Sequence, residues 1–275
     1  MAQRDSVSQQ TAKASREVKS WVVPLAKIGY FAKGIVYIAW GIFALQAVYG
    51  YGNKKVDMNT TLAKIVTQPF GRYLLFIILI GLVAYVLWRL ILLVLNPEHQ
   101  GLVTRFGYLS SGLGYAGLAL AAYGLVTGTG SGGSSSTGPH DFTVRVLHLP
   151  AGRWIVAAVG LFIIISGFYQ MYYGYKAKFK ANMRLSEMKV EQRKAAVGAG
   201  QFGSIARGII YLIVGIFLVQ AALQYNPSKA GGLGDALVAL AKAPYGIYVF
   251  AIVALGLLAY GIFSEVMARY YRLAA

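Results

Sequence analysis

The sequence predicts an all-α membrane protein with six transmembrane helices. They form three tandem two-helix hairpins in a pseudo-threefold bundle, with short amphipathic helices in the external loops. Three observations carry this. First, the 275 residues are 57% hydrophobic and 13% charged, against the ~25% charge of an ordinary soluble domain. Second, six apolar stretches, at about 25–49, 70–95, 106–127, 153–175, 202–225 and 245–268, each approach the length that crosses a bilayer core. Third, one motif recurs at the head of every odd stretch: Lys27-Ile-Gly-Tyr-Phe-Ala-Lys-Gly-Ile-Val-Tyr37, Arg105-Phe-Gly-Tyr-Leu-Ser-Ser-Gly-Leu-Gly-Tyr115 and Gln201-Phe-Gly-Ser-Ile-Ala-Arg-Gly-Ile-Ile-Tyr211.

Taken in order, residues 1–24 form a polar, basic tail with no apolar run of the kind a cleaved leader needs, so the first span is expected to direct insertion. Residues 25–97 are hairpin 1 and residues 104–176 hairpin 2. Residues 177–200 are a charged linker expected to be helical, because Glu187 and Glu191 interleave with Lys and Arg at helical spacing. Residues 201–272 are hairpin 3. The even spans share a second signature, Pro69-Phe-Gly-Arg72, Pro150-Ala-Gly-Arg153 and Pro244-Tyr-Gly-Ile247. Proline tolerates a first helical turn, so each is expected to start its helix. An amphipathic segment precedes each, at Thr61–Thr67, Phe142–Leu149 and Ala236–Ala241. Asp141 and Asp235 are placed to act as N-caps. Leu, Ile, Ala, Val and Gly dominate the spans without two-residue alternation, which favours helices over a barrel.

The odd motif superimposes Gly29, Gly107 and Gly203, then Gly34, Gly112 and Gly208, then Tyr37, Tyr115 and Tyr211. The six glycines are read as helix-packing positions, since small residues let helices approach closely where lipid surrounds them. With its two signatures triplicated over roughly 25–272, the chain resembles the bacterial membrane family called domain of unknown function 1206. That resemblance implies the six-helix fold and a bacterial plasma-membrane location, and it implies no activity.

The formal charge of +17 is read as topology and lipid contact, with no nucleic-acid partner. With the termini in the cytoplasm, 18 of the 26 Lys and Arg fall on the cytoplasmic side. Both N- and C-termini are therefore expected there. The expected partners are the bilayer and anionic lipid headgroups, with a second membrane protein as a further candidate. There are no cysteines, which excludes disulfides and thiolate chemistry. The formal glycine fingerprint at Gly128–Gly133 has no strand before it and reads as a loop. No paired carboxylates, nucleophile set or metal-ligand cluster is visible, so no enzymatic activity, cofactor or metal is expected.

Ionisable residues inside spans are costly and are the place to look for a site. Lys33 and Arg207 are repeat equivalents, with Ser111 between them, and Arg89 and Glu265 lie in the same third of the membrane. They form a candidate intramembrane polar cluster. Snorkelling to headgroups accounts for it structurally. A functional reading is a basic cavity opening to the cytoplasm, suited to an anionic solute or a lipid headgroup, with Glu265 paired to Arg89, Lys33 or Arg207. The sequence thus favours a structural, accessory, lipid-binding or partner-binding membrane protein. The alternative is a channel or transporter for a small solute or anion.

Overall fold

The computed structural model describes residues 2–49, 56–95, 101–129, 151–224, 233–242 and 244–272, together with 143, 146, 147, 149, 226 and 229. These residues form eight α-helices: α1 (Ala2–Tyr49), α2 (Met58–Val66), α3 (Gly71–Leu95), α4 (Leu102–Thr127), α5 (Gly152–Tyr175), α6 (Val190–Leu223), α7 (Leu233–Lys242) and α8 (Gly246–Tyr270). Six of them, α1, α3, α4, α5, α6 and α8, are long and apolar enough to cross a membrane. Large apolar side chains such as Leu113, Leu120, Ile165 and Phe168 stand more than half exposed around the bundle. In water such a surface would drive association, whereas in lipid it is the solvated face.

The six long helices pack in a ring in chain order: α1 on α3, α3 on α4, α5 on α6, α6 on α8, and α8 back on α1. Repeat-equivalent residues make equivalent contacts. Within hairpin 1 a Cβ on Gly29 would stand 2.8 Å from Tyr85 Cα, and within hairpin 3 a Cβ on Gly203 would stand 2.6 Å from Tyr260 Cα. The same two interfaces press Gly81 onto Ala32 and Gly256 onto Ala206. Between hairpins, Gly41 abuts Leu258 as Gly215 abuts Ile164, and Gly261 abuts Ile38 as Gly167 abuts Leu212. The pseudo-threefold relation is therefore carried by side-chain size at matched positions.

One interface departs from the pattern. α4 and α5, the two halves of hairpin 2, do not pack along one another. Counting from the Pro-x-Gly signature, Phe162 stands where hairpins 1 and 3 have Gly81 and Gly256, and Ser166 stands where they have Tyr85 and Tyr260. Phe162 is too large for a close crossing. Gly107, the counterpart of Gly29 and Gly203, has nothing within 4 Å of a would-be Cβ. The neighbouring α3–α4 contact is also looser, with Val86 and Ala119 at positions that are glycine in the tight interfaces. A Cβ on Gly112 would meet only Arg89 Cβ, at 3.6 Å. The ring thus has one open seam.

The Pro-x-Gly signature works differently from the sequence expectation. The even helices begin at Gly71, Gly152 and Gly246, two residues beyond the proline. The residue before each glycine, Phe70, Ala151 or Tyr245, takes a left-handed φ of 60°, 64° or 57°. A Cβ on each glycine would strike the carbonyl of Ile65, Val146 or Leu240 in the preceding segment. The signature is a tight corner that lays a short helix against the foot of the next span. α2 and α7 are two such helices; α2 packs on α1, α3 and α4, and α7 on α6 and α8. Asp235 is the third residue of α7 and not its N-cap, a placement that still suits the positive end of the helix dipole. The N-cap that is formed belongs to Asp57, whose Oδ1 accepts from Thr60 N at 2.8 Å while its own N–H donates to Thr60 Oγ1 at 2.8 Å. Asp141 and the glycine/serine loop beyond Thr129 lie outside the described residues.

The charged linker is helical only in part. α5 stops at Tyr175, and Ala177 takes a left-handed φ of 48°. Residues Lys178–Asn182 and Leu185–Glu187 form two short 3-10 turns before α6 begins at Val190. The reason is apolar content: Phe179 and Met183 are fully buried, and a straight solvated helix would expose them. Met183 bridges to Tyr271, while Arg184 N donates to Tyr270 O and Arg272 N to Asn182 O, both at 2.9 Å. Linker and C-terminal segment together close the end of the bundle that carries both termini.

Candidate functional site

The centre of the ring is built from the repeat itself. The α1 motif places Lys33 one turn before Tyr37, so both face the same way, and α6 does the same with Arg207 and Tyr211. α4 offers Ser111 and Tyr115 at the matching positions. From the even helices come Tyr85 and Arg89 on α3 and Tyr260 on α8. Tyr37, Tyr85, Tyr115 and Tyr260 are all buried, as are Lys33, at 2% exposure, and Arg207, at 8%.

Aromatic rings surround the cations. Lys33 Nζ donates to Tyr260 Oη at 2.7 Å. It also lies 5.3 Å from the Tyr85 ring centroid, 5.6 Å from that of Tyr115 and 5.5 Å from that of Tyr30. Arg207 stacks 4.3 Å from the Tyr260 centroid and donates to Tyr211 Oη. Arg89 donates twice to Tyr85 Oη, at 2.6 and 3.0 Å, and lies 4.4 Å from the Trp88 ring. The tyrosines pack on each other by the same symmetry: Tyr85 on Tyr115 at 4.4 Å and Tyr260 on Tyr37 at 4.8 Å. The third pair would join position 166 to Tyr211. Ser166 cannot reach, and bonds instead to the Phe162 carbonyl of its own helix.

These contacts offset part of what burial costs. Removing a cation from water costs several kcal/mol, and a desolvated cation–π contact returns about 2 kcal/mol. Repulsion among the cations remains. Lys33 and Arg207 sit 4.8 and 4.3 Å from the one Tyr260 centroid, so they are at most about 9 Å apart. At an effective dielectric near 20, two unit charges at that distance repel by roughly 2 kcal/mol. No ion pair relieves this: among the described residues none of Lys33, Arg89 and Arg207 meets a carboxylate within pairing distance, the one ion pair being Arg184 with Glu187 in the linker. Arg207 Nε is buried with no hydrogen-bond partner. A negative charge placed here would gain from three cations at once.

The four residues of the candidate polar cluster are thus brought together only in part. Lys33, Arg89 and Arg207 share tyrosines. Glu265 does not join them: its carboxylate lies against Gly34 at the α1–α8 contact, Oε1 has no hydrogen-bond partner, and it pairs with no cation among the described residues. The spacing that places it near the cations in depth turns it toward a different face of α8. Gly29, Gly34, Gly203 and Gly208 are at close helix contacts, Gly112 at a looser one, and Gly107 at none. Sequence reading overlooks Tyr85, Tyr260, Tyr30 and Trp88. The signal for the first two is present, since Tyr85 and Tyr260 match when the even helices are aligned on their Pro-x-Gly corners. Toward the termini the cluster is covered by Tyr30, Trp88 and Tyr271, whose ring centroids lie 5.2 to 5.5 Å apart.

A family model described as Domain of Unknown Function (DUF1206) matches residues 28–92, 106–177 and 202–271, one match to each hairpin. An uncharacterized protein of Bacillus subtilis (strain 168), YxxB, is 32% identical over 264 residues, which covers 94% of this chain and 94% of that protein. No solved structure matches.

Proposed function

The chain belongs to the DUF1206 family, and from that premise we propose that this multi-pass membrane protein is an accessory, ligand-holding protein and not an enzyme. Its centre holds the anionic group of a membrane partner. The observation that carries this reading is the trio of buried Lys33 and Arg207 with half-buried Arg89, set among tyrosines with no acid paired to it among the described residues. A charge cluster of this kind is expensive in a membrane and is kept where something binds. Snorkelling does not account for Lys33 and Arg207, because both are wrapped by rings and nearly inaccessible. The same enclosure favours a held ligand over a conduit for a passing solute. We further propose the plasma membrane of a bacterium as its location, with both termini in the cytoplasm, from the family resemblance and the excess of Lys and Arg on that side.

The test is selective stabilisation. In detergent, phosphatidylglycerol is expected to raise the melting temperature of the wild type where phosphatidylcholine does not. A ligand at a hundred times its Kd contributes about 2.7 kcal/mol. Lys33→Met/Arg207→Met is expected to lose the selectivity. An equal response to both lipids in the wild type would overturn the reading, and so would a selective anion flux through wild-type proteoliposomes that the double variant abolishes.

A further inference from the structure

We propose that the open seam between α4 and α5 holds the acyl chains of an anionic phospholipid whose phosphate lies against Lys33, Arg89 and Arg207. The inference rests on reading the centre as an anion site, and it identifies both the ligand class and the way in. Four observations converge on it.

The seam is the gap in an otherwise closed ring, and hairpin 2 is the hairpin whose two helices fail to pack. Along α4 the face toward it is smooth: Gly107, Gly114 and Gly117 each have open space where a Cβ would be, and Ser110 between them is exposed. Across the gap α5 presents Phe162 in place of the close-packing glycine of the other hairpins. The second observation points to a ligand independently. Arg207 is 8% exposed, yet its Nε has no partner. Third, the terminus side and four of the helix interfaces are shut. Tyr30, Trp88 and Tyr271 cover the terminus side, and glycine contacts seal α1 against α3 and α8, and α6 against α5 and α8. Fourth, the cluster reaches the seam side of the ring: α4 lends Tyr115 to it, and Arg89, half-buried on the neighbouring α3, stacks 5.3 Å from Tyr108 of α4.

The chemistry of the two parts selects the occupant. The centre asks for an anion with several acceptor oxygens, which a phosphate monoester or diester supplies. The seam is apolar and opens sideways to hydrocarbon, where Leu113 and Leu120 of α4 are exposed. A free phosphate would satisfy the first requirement and leave the second unfilled. A helix from a second copy of the chain would cover the glycine face without bringing an anion. A phospholipid meets both, and the position of the cations near the terminus side draws it from that leaflet, with its chains running along Gly114 and Gly117 toward the midplane.

The experiment compares three proteins in detergent by native mass spectrometry, titrating phosphatidylglycerol, phosphatidylcholine and inorganic phosphate. They are the wild type, the charge variant Lys33→Met/Arg207→Met and the seam variant Gly107→Leu/Gly114→Leu. As a second readout, Gly114→Cys, the sole thiol in a cysteine-free chain, is tested for maleimide labelling. The wild type is expected to prefer phosphatidylglycerol over phosphatidylcholine, and each variant to lose about tenfold in that affinity, the equivalent of ~1.4 kcal/mol. Phosphatidylglycerol, and not phosphate, is expected to shield Gly114→Cys. Loss in the charge variant with an unchanged seam variant and an unshielded thiol would overturn the seam assignment and leave the central anion site standing. No loss in either variant would overturn both. Phosphate binding equally to the wild type and seam variant, with no advantage for the lipid, would make the ligand a soluble anion and overturn the proposal. Shielding that depends on protein concentration and not on lipid would assign the seam to a second copy and overturn it as well.

Discussion

The three aligned glycines Gly29, Gly107 and Gly203 are identical in sequence and should respond oppositely to one added methyl group. At Gly203 the new Cβ would stand 2.6 Å from the N and Cα of Tyr260, and at Gly29 2.8 Å from the Cα of Tyr85. These are backbone atoms of a packed helix, and they cannot swing aside as a side-chain tip can. Ordinary carbon contacts lie near 3.5–4.0 Å, so α6 and α8 must part by about 1 Å. That movement would loosen Gly256 from Ala206 and disturb the stacking of Arg207 on Tyr260. Overpacking of this kind costs about 1–3 kcal/mol. Replacing a helical glycine with alanine returns up to ~1 kcal/mol of propensity. The net expectation for Gly203→Ala is a loss of about 1–2 kcal/mol. At Gly107 the Cβ meets nothing within 4 Å, so only the propensity term applies and Gly107→Ala should be neutral or stabilising by up to ~1 kcal/mol. The assay is unfolding of the three single variants in mixed detergent, followed by circular dichroism. A loss at Gly107 as large as at Gly203 would mean that α4 and α5 are packed like the other two hairpins, and the open seam would fall with it.

Two further outcomes follow from local geometry. Ala151→Gly should stabilise by about 1 kcal/mol, because Ala151 holds a left-handed φ of 64° that costs an alanine roughly 1–2 kcal/mol, whereas Gly152→Ala next to it should destabilise sharply by driving a methyl group into the Val146 carbonyl; thermal melts of both would expose an error in the corner geometry if the two moved together. Glu265→Gln should leave stability within about 0.5 kcal/mol, the range of substitutions that break no named interaction, because no cation pairs with that carboxylate among the described residues; a drop in melting temperature of several degrees would reveal a partner.

The architecture was legible because its causes are local or periodic. Six apolar runs of bilayer length have little choice but to become helices once lipid denies their backbone any other hydrogen-bond partner. Triplicated signatures announce triplicated hairpins whatever their arrangement. The glycines could be named as packing positions from the same reasoning, and Gly29, Gly34, Gly203 and Gly208 are at close contacts. The linker was harder, since its charge pattern matches a solvated helix and only the burial of Phe179 and Met183 folds it back. Likewise the proline marks the corner, but the strain sits on the residue after it and the close approach on the glycine beyond.

By itself, then, the chain's order of residues determined how many times it crosses lipid, which segments are copies, and that three cations fall at similar depth. Only the tertiary structure decided which copies behave alike. Whether two helices touch depends on the pair of side chains at their crossing, and Phe162 with Ser166 undoes in hairpin 2 what Gly81 with Tyr85 and Gly256 with Tyr260 do in hairpins 1 and 3. It also separated Glu265 from the cations, because depth along a helix is set by residue number but facing is set by rotation against a neighbour. The tyrosine cage is the joint result, since the odd helices supply Lys33, Arg207 and half of its rings, and the even helices, brought beside them only by folding, supply Arg89 and the other rings.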